Sequence, residues 1–173
     1  MNLLESLKKS PSPAQYQQIT AYIGEDKQRF SELILMYLEG PERITQRAAS
    51  LLVHFAKRHP ELIIGQLAIL LKHVKHPHAS KAIKRNTIRF LQDIAIPKRW
   101  QGKVTDICLS FLTSPYESIA VKAFSMTVLT NIAIENSELK NELIPIIEDQ
   151  MPFGSAGFRN RGAKVLKQLA KGT

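Results

Sequence analysis

A single cysteine, Cys108, stands in a chain of 173 residues. With no second thiol there is no internal disulfide framework, and the composition points to a reducing, cytoplasmic setting. Eight glycines and nine prolines are too few for a low-complexity or collagen-like chain. Long apolar runs are missing too: the longest candidate is cut at Lys72, short of the roughly 18 residues a spanning helix needs. Met1 to Lys9 has no basic segment leading into an apolar stretch, so no signal peptide is expected. Acidic residues are also in short supply, since 15 Asp and Glu face 24 Lys and Arg for a net charge of +9. What is present is 44% hydrophobic residues, with enough Leu, Ile, Val and Ala to argue against disorder. A chain of this length can bury roughly 70% of its unfolded surface, and one domain is the expectation.

Internal repetition is plain. Leu, two variable positions, an apolar residue and Ala recur at Leu52–Ala56, Leu91–Ala95, Leu129–Ala133 and Leu166–Ala170, with closing alanines 39, 38 and 37 residues apart. Twelve residues before each alanine stands an apolar side chain (Ile44, Ile83, Val121, Phe158), and eight before it a small one (Ala48, Thr87, Ser125, Gly162). Pro77, Pro115 and Pro152 each lie 18 residues ahead of their alanine, and Pro41 lies 15 ahead of Ala56. A fixed period in this range is the mark of a repeat architecture.

Spacings of twelve, eight, four and zero fall on one side of a helix, with Arg85, Arg89 and Asp93 on the other. Ahead of each proline the pattern predicts a further apolar helix: Arg29 to Leu38, Glu61 to Val74, Lys103 to Leu112 and Glu138 to Ile147. Proline cannot continue a helix and so marks the corner. The unit is helix, turn, helix. Short helices at Asn2 to Lys8 and Pro13 to Ile23 are expected to cover the open end, as terminal repeats must.

These residues resemble the HEAT repeat family. Leu143-Ile144-Pro145-Ile146-Ile147, with its proline inside the first helix, and Val121-Lys122-Ala123 followed by Leu129 to Ala133 carry the likeness, which covers about Phe30 to Ala170. The family's basic residue after the apolar position of the second helix maps onto Lys84, Lys122 and Arg159, whereas Thr45 departs from it. The usual aspartate of the preceding turn has no counterpart in His78 to Ser80 or Tyr116 to Ser118. The resemblance implies an all-α, right-handed superhelical solenoid of about four helical pairs. Capping helices would occupy residues 1–24 and repeats about 25–58, 60–95, 98–135 and 137–171, all within a single domain spanning 1–173. It also implies second helices that line a concave side, and a scaffold that offers this surface to another macromolecule.

Charge is concentrated. Between Lys72 and Lys103 lie nine basic residues against the single acid Asp93. Lys81, Arg85 and Arg89 recur every four residues and form one helical stripe. With Lys84 and the group Lys98, Arg99, Trp100 and Lys103 they make the candidate partner-binding set, because a basic stripe attracts anionic partners by its long-range field. The bland alternative is a solvated face with Arg89 paired to Asp93. Trp100, among cations, is placed either to stack on a base or, more commonly, to pack between helices.

All five histidines fall between His54 and His78. His73, His76 and His78 have spacing that could share a metal ion, but no carboxylate or cysteine lies nearby and the neighbouring lysines repel a dication. No metal and no cofactor are expected. Gly-rich phosphate loops, His-Glu-x-x-His and Gly-x-Ser-x-Gly are absent, and Cys108 sits among Ile107, Leu109, Phe111 and Leu112, where a packed thiol is the natural state. The expectation is a non-enzymatic binding module with a basic surface for a protein partner of acidic character. The alternative is a nucleic-acid backbone binder, similar in general look to the HEAT-like DNA glycosylases, whose catalytic residues no motif places here.

Overall fold

The computed structural model describes residues 1–171, so the last two positions of the expected 1–173 domain lie outside the described residues. Every regular element among those described is helical: α1 (Leu3–Lys8), α2 (Pro13–Ile23), α3 (Lys27–Glu39), α4 (Glu42–Arg58), α5 (Pro60–Gly65), α6 (Leu67–Lys75), α7 (Lys81–Leu91), α8 (Lys98–Thr113), α9 (Ile119–Ala133), α10 (Ser137–Gln150) and α11 (Ala156–Lys171). They fall into two compact units, Met1–Ile94 and the chain from Ala95 onward. In the first unit α3 pairs with α4 and α6 with α7, and α4 packs on α7. In the second, α8 pairs with α9 and α10 with α11, and α9 packs on both α10 and α11. No described helix is long and apolar enough to cross a membrane.

The corners explain why the helices start where they do. Ser80, Ser118 and Ser155, three residues after the corner prolines, accept hydrogen bonds from Ile83 N (3.1 Å), Val121 N (3.3 Å) and Phe158 N (3.2 Å). Each serine thus satisfies one of the first-turn amides that a helix leaves without an internal partner. These serines recur with the period of the prolines. Pro41 takes the corresponding place before α4, with no side-chain cap.

The small position of the repeat is buried in all four second helices, at Ala48, Thr87, Ser125 and Gly162. At Gly162 a Cβ would stand 2.5 Å from Met151 Sδ and 3.3 Å from Ile147 Cγ2, so a larger residue here would require the Met151 side chain to move aside. Leu52, Leu91 and Leu129 are buried as expected, whereas Leu166 and Ile83 are only half-buried and Ala95 and Ala170 are exposed. The four-residue spacing of the motif advances about 40° per step relative to a 3.6-residue helix. In α4 and α9, which bury more than one side, the drift is absorbed. In the one-sided α11 the buried stripe follows Phe158, Gly162, Val165 and Leu169 instead.

Several boundaries differ from expectation. The helix expected over Glu61 to Val74 is broken at Gln66, directly after the weak helix former Gly65; Gln66 N bonds Ile63 O and its side chain donates to Ser31 Oγ at 2.8 Å. The helix expected from Lys103 begins at Lys98, immediately after Pro97. Helix α7 stops at Leu91, and Asp93 N and Ile94 N close turns onto Phe90 O and Leu91 O, which leaves Ala95 outside the helix. Pro145 lies inside α10, as the resemblance implies.

Two polar side chains tie the first unit together. Arg47, buried on α4, donates to the Leu7 carbonyl and anchors α1. Tyr37, buried on α3, places its hydroxyl 2.9 Å from Ile83 O and 2.8 Å from Thr87 Oγ1, fastening α3 to α7. Burial pushes its phenol pKa well above the usual value, with the Thr87 hydroxyl pulling the other way. Tyr37→Phe leaves both partners short of a bond and is expected to lower stability by about 1–3 kcal/mol in chemical denaturation. A loss below a few tenths would mean that this contact contributes nothing to holding α7.

Candidate functional site

Helix α7 separates charge from core. Asn86, Thr87, Ile88, Phe90 and Leu91 are buried, while Lys81, Arg85 and Arg89 are exposed and Lys84 is half-buried. Ser80 caps the first turn and Tyr37 holds the inner side, so the stripe is carried on a fixed helix. Arg89 and Asp93 make no ion pair: the helix ends between them, and the i,i+4 geometry that would bring them together is lost.

At the start of the stripe lies a cleft of about 600 Å³ lined by Leu38, Glu42, Thr45, Ser80, Lys81 and three imidazoles, His73, His76 and His78. His73 Nδ1 lies 2.9 Å from Ile69 O, and His76 Nδ1 accepts from His78 N at 3.2 Å. One nitrogen of each of these two rings is thus engaged by local backbone. Among the described residues no group of three His, Cys, Asp or Glu side chains is arranged to hold a metal.

In the second unit, Lys98, Arg99, Trp100 and Lys103 all lie on the first turns of α8. The three cations are exposed, and Lys103 Nζ stands 5.8 Å from the Trp100 ring centroid. Trp100 is half-buried, with its indole nitrogen inside the unit and without a hydrogen-bond partner. The ring therefore belongs in part to the packing of α8. Cys108 on the same helix is fully buried, and burial pushes its thiol up to about 12, the Ser125 hydroxyl pulling back. A thiol held protonated in this way is no nucleophile at neutral pH.

Two aromatic side chains escaped the sequence reading. Tyr116 and Phe153 are 93% and 92% exposed, each directly after a corner proline, and Phe153 borders a cleft of about 460 Å³ with Pro115, Ile119, Lys122 and Phe158. Their shared place one residue beyond the periodic proline was the available signal. A chain with few aromatics makes two at one repeat position conspicuous.

A model of the HEAT repeat domain matches residues 3–169. Among solved structures, a designed armadillo repeat protein superposes with a TM-score of 0.63 at 15% identity, covering 99% of this chain and 82% of that one. Computationally designed armadillo repeat proteins for modular peptide recognition give 0.62 at 18% identity over 96% of this chain and 80% of theirs. A designed armadillo repeat protein in complex with the peptide (KR)4 gives 0.62 at 15% identity, over 96% of this chain and 80% of that one. No curated protein matches the chain. At these identities the structural likeness establishes an all-helical armadillo/HEAT-type repeat fold.

Proposed function

Because this chain belongs to the HEAT repeat family, we propose that it is a non-enzymatic binding scaffold that takes a protein partner of acidic character along α7. The observation that carries this is the exposed stripe Lys81, Arg85 and Arg89 on a helix that contains no acid and turns its opposite side to the core. A solvated face meant only for solubility would ordinarily intersperse both signs. A designed armadillo repeat protein of similar fold is in complex with the cationic peptide (KR)4; the present chain itself offers cations, and charge complementarity calls for an acidic segment. Lys84 adds to the charge of α7, and Lys98, Arg99 and Lys103 around Trp100 make a separate cationic cluster on α8 of the second unit, a further candidate for the same chemistry. The single buried thiol suits a reducing, cytoplasmic compartment.

The triple change Lys81→Glu, Arg85→Glu and Arg89→Glu is expected to abolish capture of an acidic peptide and leave the helical circular dichroism intact, since all three side chains are exposed. Titrations of the wild-type protein against an acidic peptide, duplex DNA and RNA at two salt concentrations choose between the partners. A protein partner with an apolar centre loses modest affinity with salt, because its charges mainly steer encounter. A nucleic-acid backbone held by the same stripe loses it steeply between about 50 and 200 mM. Wild-type protein that binds none of these, with captured partners indifferent to the triple change, would return the stripe to a solvated face.

A further inference from the structure

The charge of this chain is partitioned by helix as well as by sequence window. The second helices of the pairs, α4, α7, α9 and α11, carry 14 Lys and Arg against the single acid Glu42, whereas the first helices, α3, α5, α6, α8 and α10, carry eight of each sign. The extreme case is α11, with five cations and no acid, and it lies wholly outside the window from Lys72 to Lys103. Its buried residues Phe158, Gly162, Val165 and Leu169 form one side. On the opposite side Lys164, Lys167 and Lys171 are exposed at i, i+3 and i+7, with Arg159 exposed at the flank. Arg161 is turned inward, its guanidinium donating to Thr127 Oγ1 of α9 at 2.5 Å, and so belongs to the packing.

We infer that α11 is a second anion-binding surface, one that holds the phosphate backbone of a nucleic acid without reading its sequence. Charge complementarity selects an anion, and the make-up of the face selects which kind. None of the exposed large apolar side chains of the described residues lies on α11; between its cations the exposed positions are Asn160, Ala163, Gln168 and Ala170. A protein interface draws on a desolvated apolar centre, and this face has none to offer. A surface of charge alone gains affinity chiefly by releasing condensed counterions, which a duplex carries at about one charge per 1.7 Å of axis. A flexible acidic peptide holds no comparable ion atmosphere. Small residues among the lysines let a backbone approach, and side chains of this length reach successive phosphates without fixed register.

The test is fluorescence anisotropy with a labelled 20-base-pair DNA duplex and, separately, a labelled oligoglutamate peptide. For three phosphate contacts the affinity of the wild-type protein for the duplex is expected to fall about 40-fold between 50 and 200 mM salt. Lys164→Glu with Lys167→Glu and Lys171→Glu should remove duplex binding at 50 mM salt with unchanged circular dichroism, and the corresponding triple Arg variant should retain it. The α11 reversal should leave peptide binding in place, and the α7 reversal should remove peptide binding and keep most of the duplex affinity, so either reading can fail without the other. The inference is overturned by wild-type protein that ignores the duplex at 50 mM salt, by an α11 reversal that still binds it, or by oligoglutamate bound as tightly as DNA through α11.

Discussion

Leu91→Ala and Leu129→Ala are each expected to lower the unfolding free energy by about 2–5 kcal/mol, read from urea denaturation. Both side chains are completely buried, Leu91 on the inner side of α7 and Leu129 on α9. Truncation removes the transfer free energy of the lost carbons and leaves a cavity among neighbours that cannot fully collapse. Leu91 reports on the unit Met1–Ile94 and Leu129 on the unit from Ala95 onward, so separate transitions, where seen, identify which one each change disturbs. Arg85→Ala, on the same helix as Leu91 but exposed, should stay within about 0.5 kcal/mol. Equal sensitivity of the three variants would mean that the helix faces are wrongly assigned.

Deleting the chain from Leu139 onward is expected to do more. It removes nearly all of α10 and the whole of α11, the two helices that pack on α9. Helix α9 buries Val121, Met126, Val128, Leu129 and Ile132 along most of its circumference, and a part of that surface would meet water. Each such side chain is worth about 1.5–3 kcal/mol of burial. Two or three of them approach the whole stability of a small domain, about 5–15 kcal/mol. The truncated protein should melt at a markedly lower temperature or fail to stay in solution. An unchanged melting profile would sink the stacked-repeat account, in which each pair is stabilised by its neighbours.

Basic residues outside the densest window show where sequence order stops being informative. In order along the chain, Lys72 to Lys103 stands out because nine cations crowd one stretch. Arg159, Arg161, Lys164, Lys167 and Lys171 are spread more thinly and draw less notice. Once the helices are placed, α11 proves as free of acids as α7, and its lysines share a side. The histidines are a different case: His73, His76 and His78, close in number, also line one cleft, and Glu42, distant in sequence, lines it with them.

The serine caps are legible in the sequence as well. Ser80, Ser118 and Ser155 repeat with the corner prolines and stand three residues before the periodic apolar positions Ile83, Val121 and Phe158, whose amide hydrogen bonds they accept.

By itself, the sequence determined the repeat period, the helical pairs, the corners and the exposed side of α7, because each depends on spacing along the chain and on which residues proline and serine allow at a turn. The break at Gln66, the early end of α7, the buried Arg47 and the bond from Tyr37 to Ile83 and Thr87 were decided by tertiary structure. Each of these joins residues far apart in number or stops a helix whose local pattern could have continued. A helix carries its own periodicity in its sequence, but which carbonyl a buried arginine reaches, or which side chain a cap helix needs, is set only when a second helix is packed against the first.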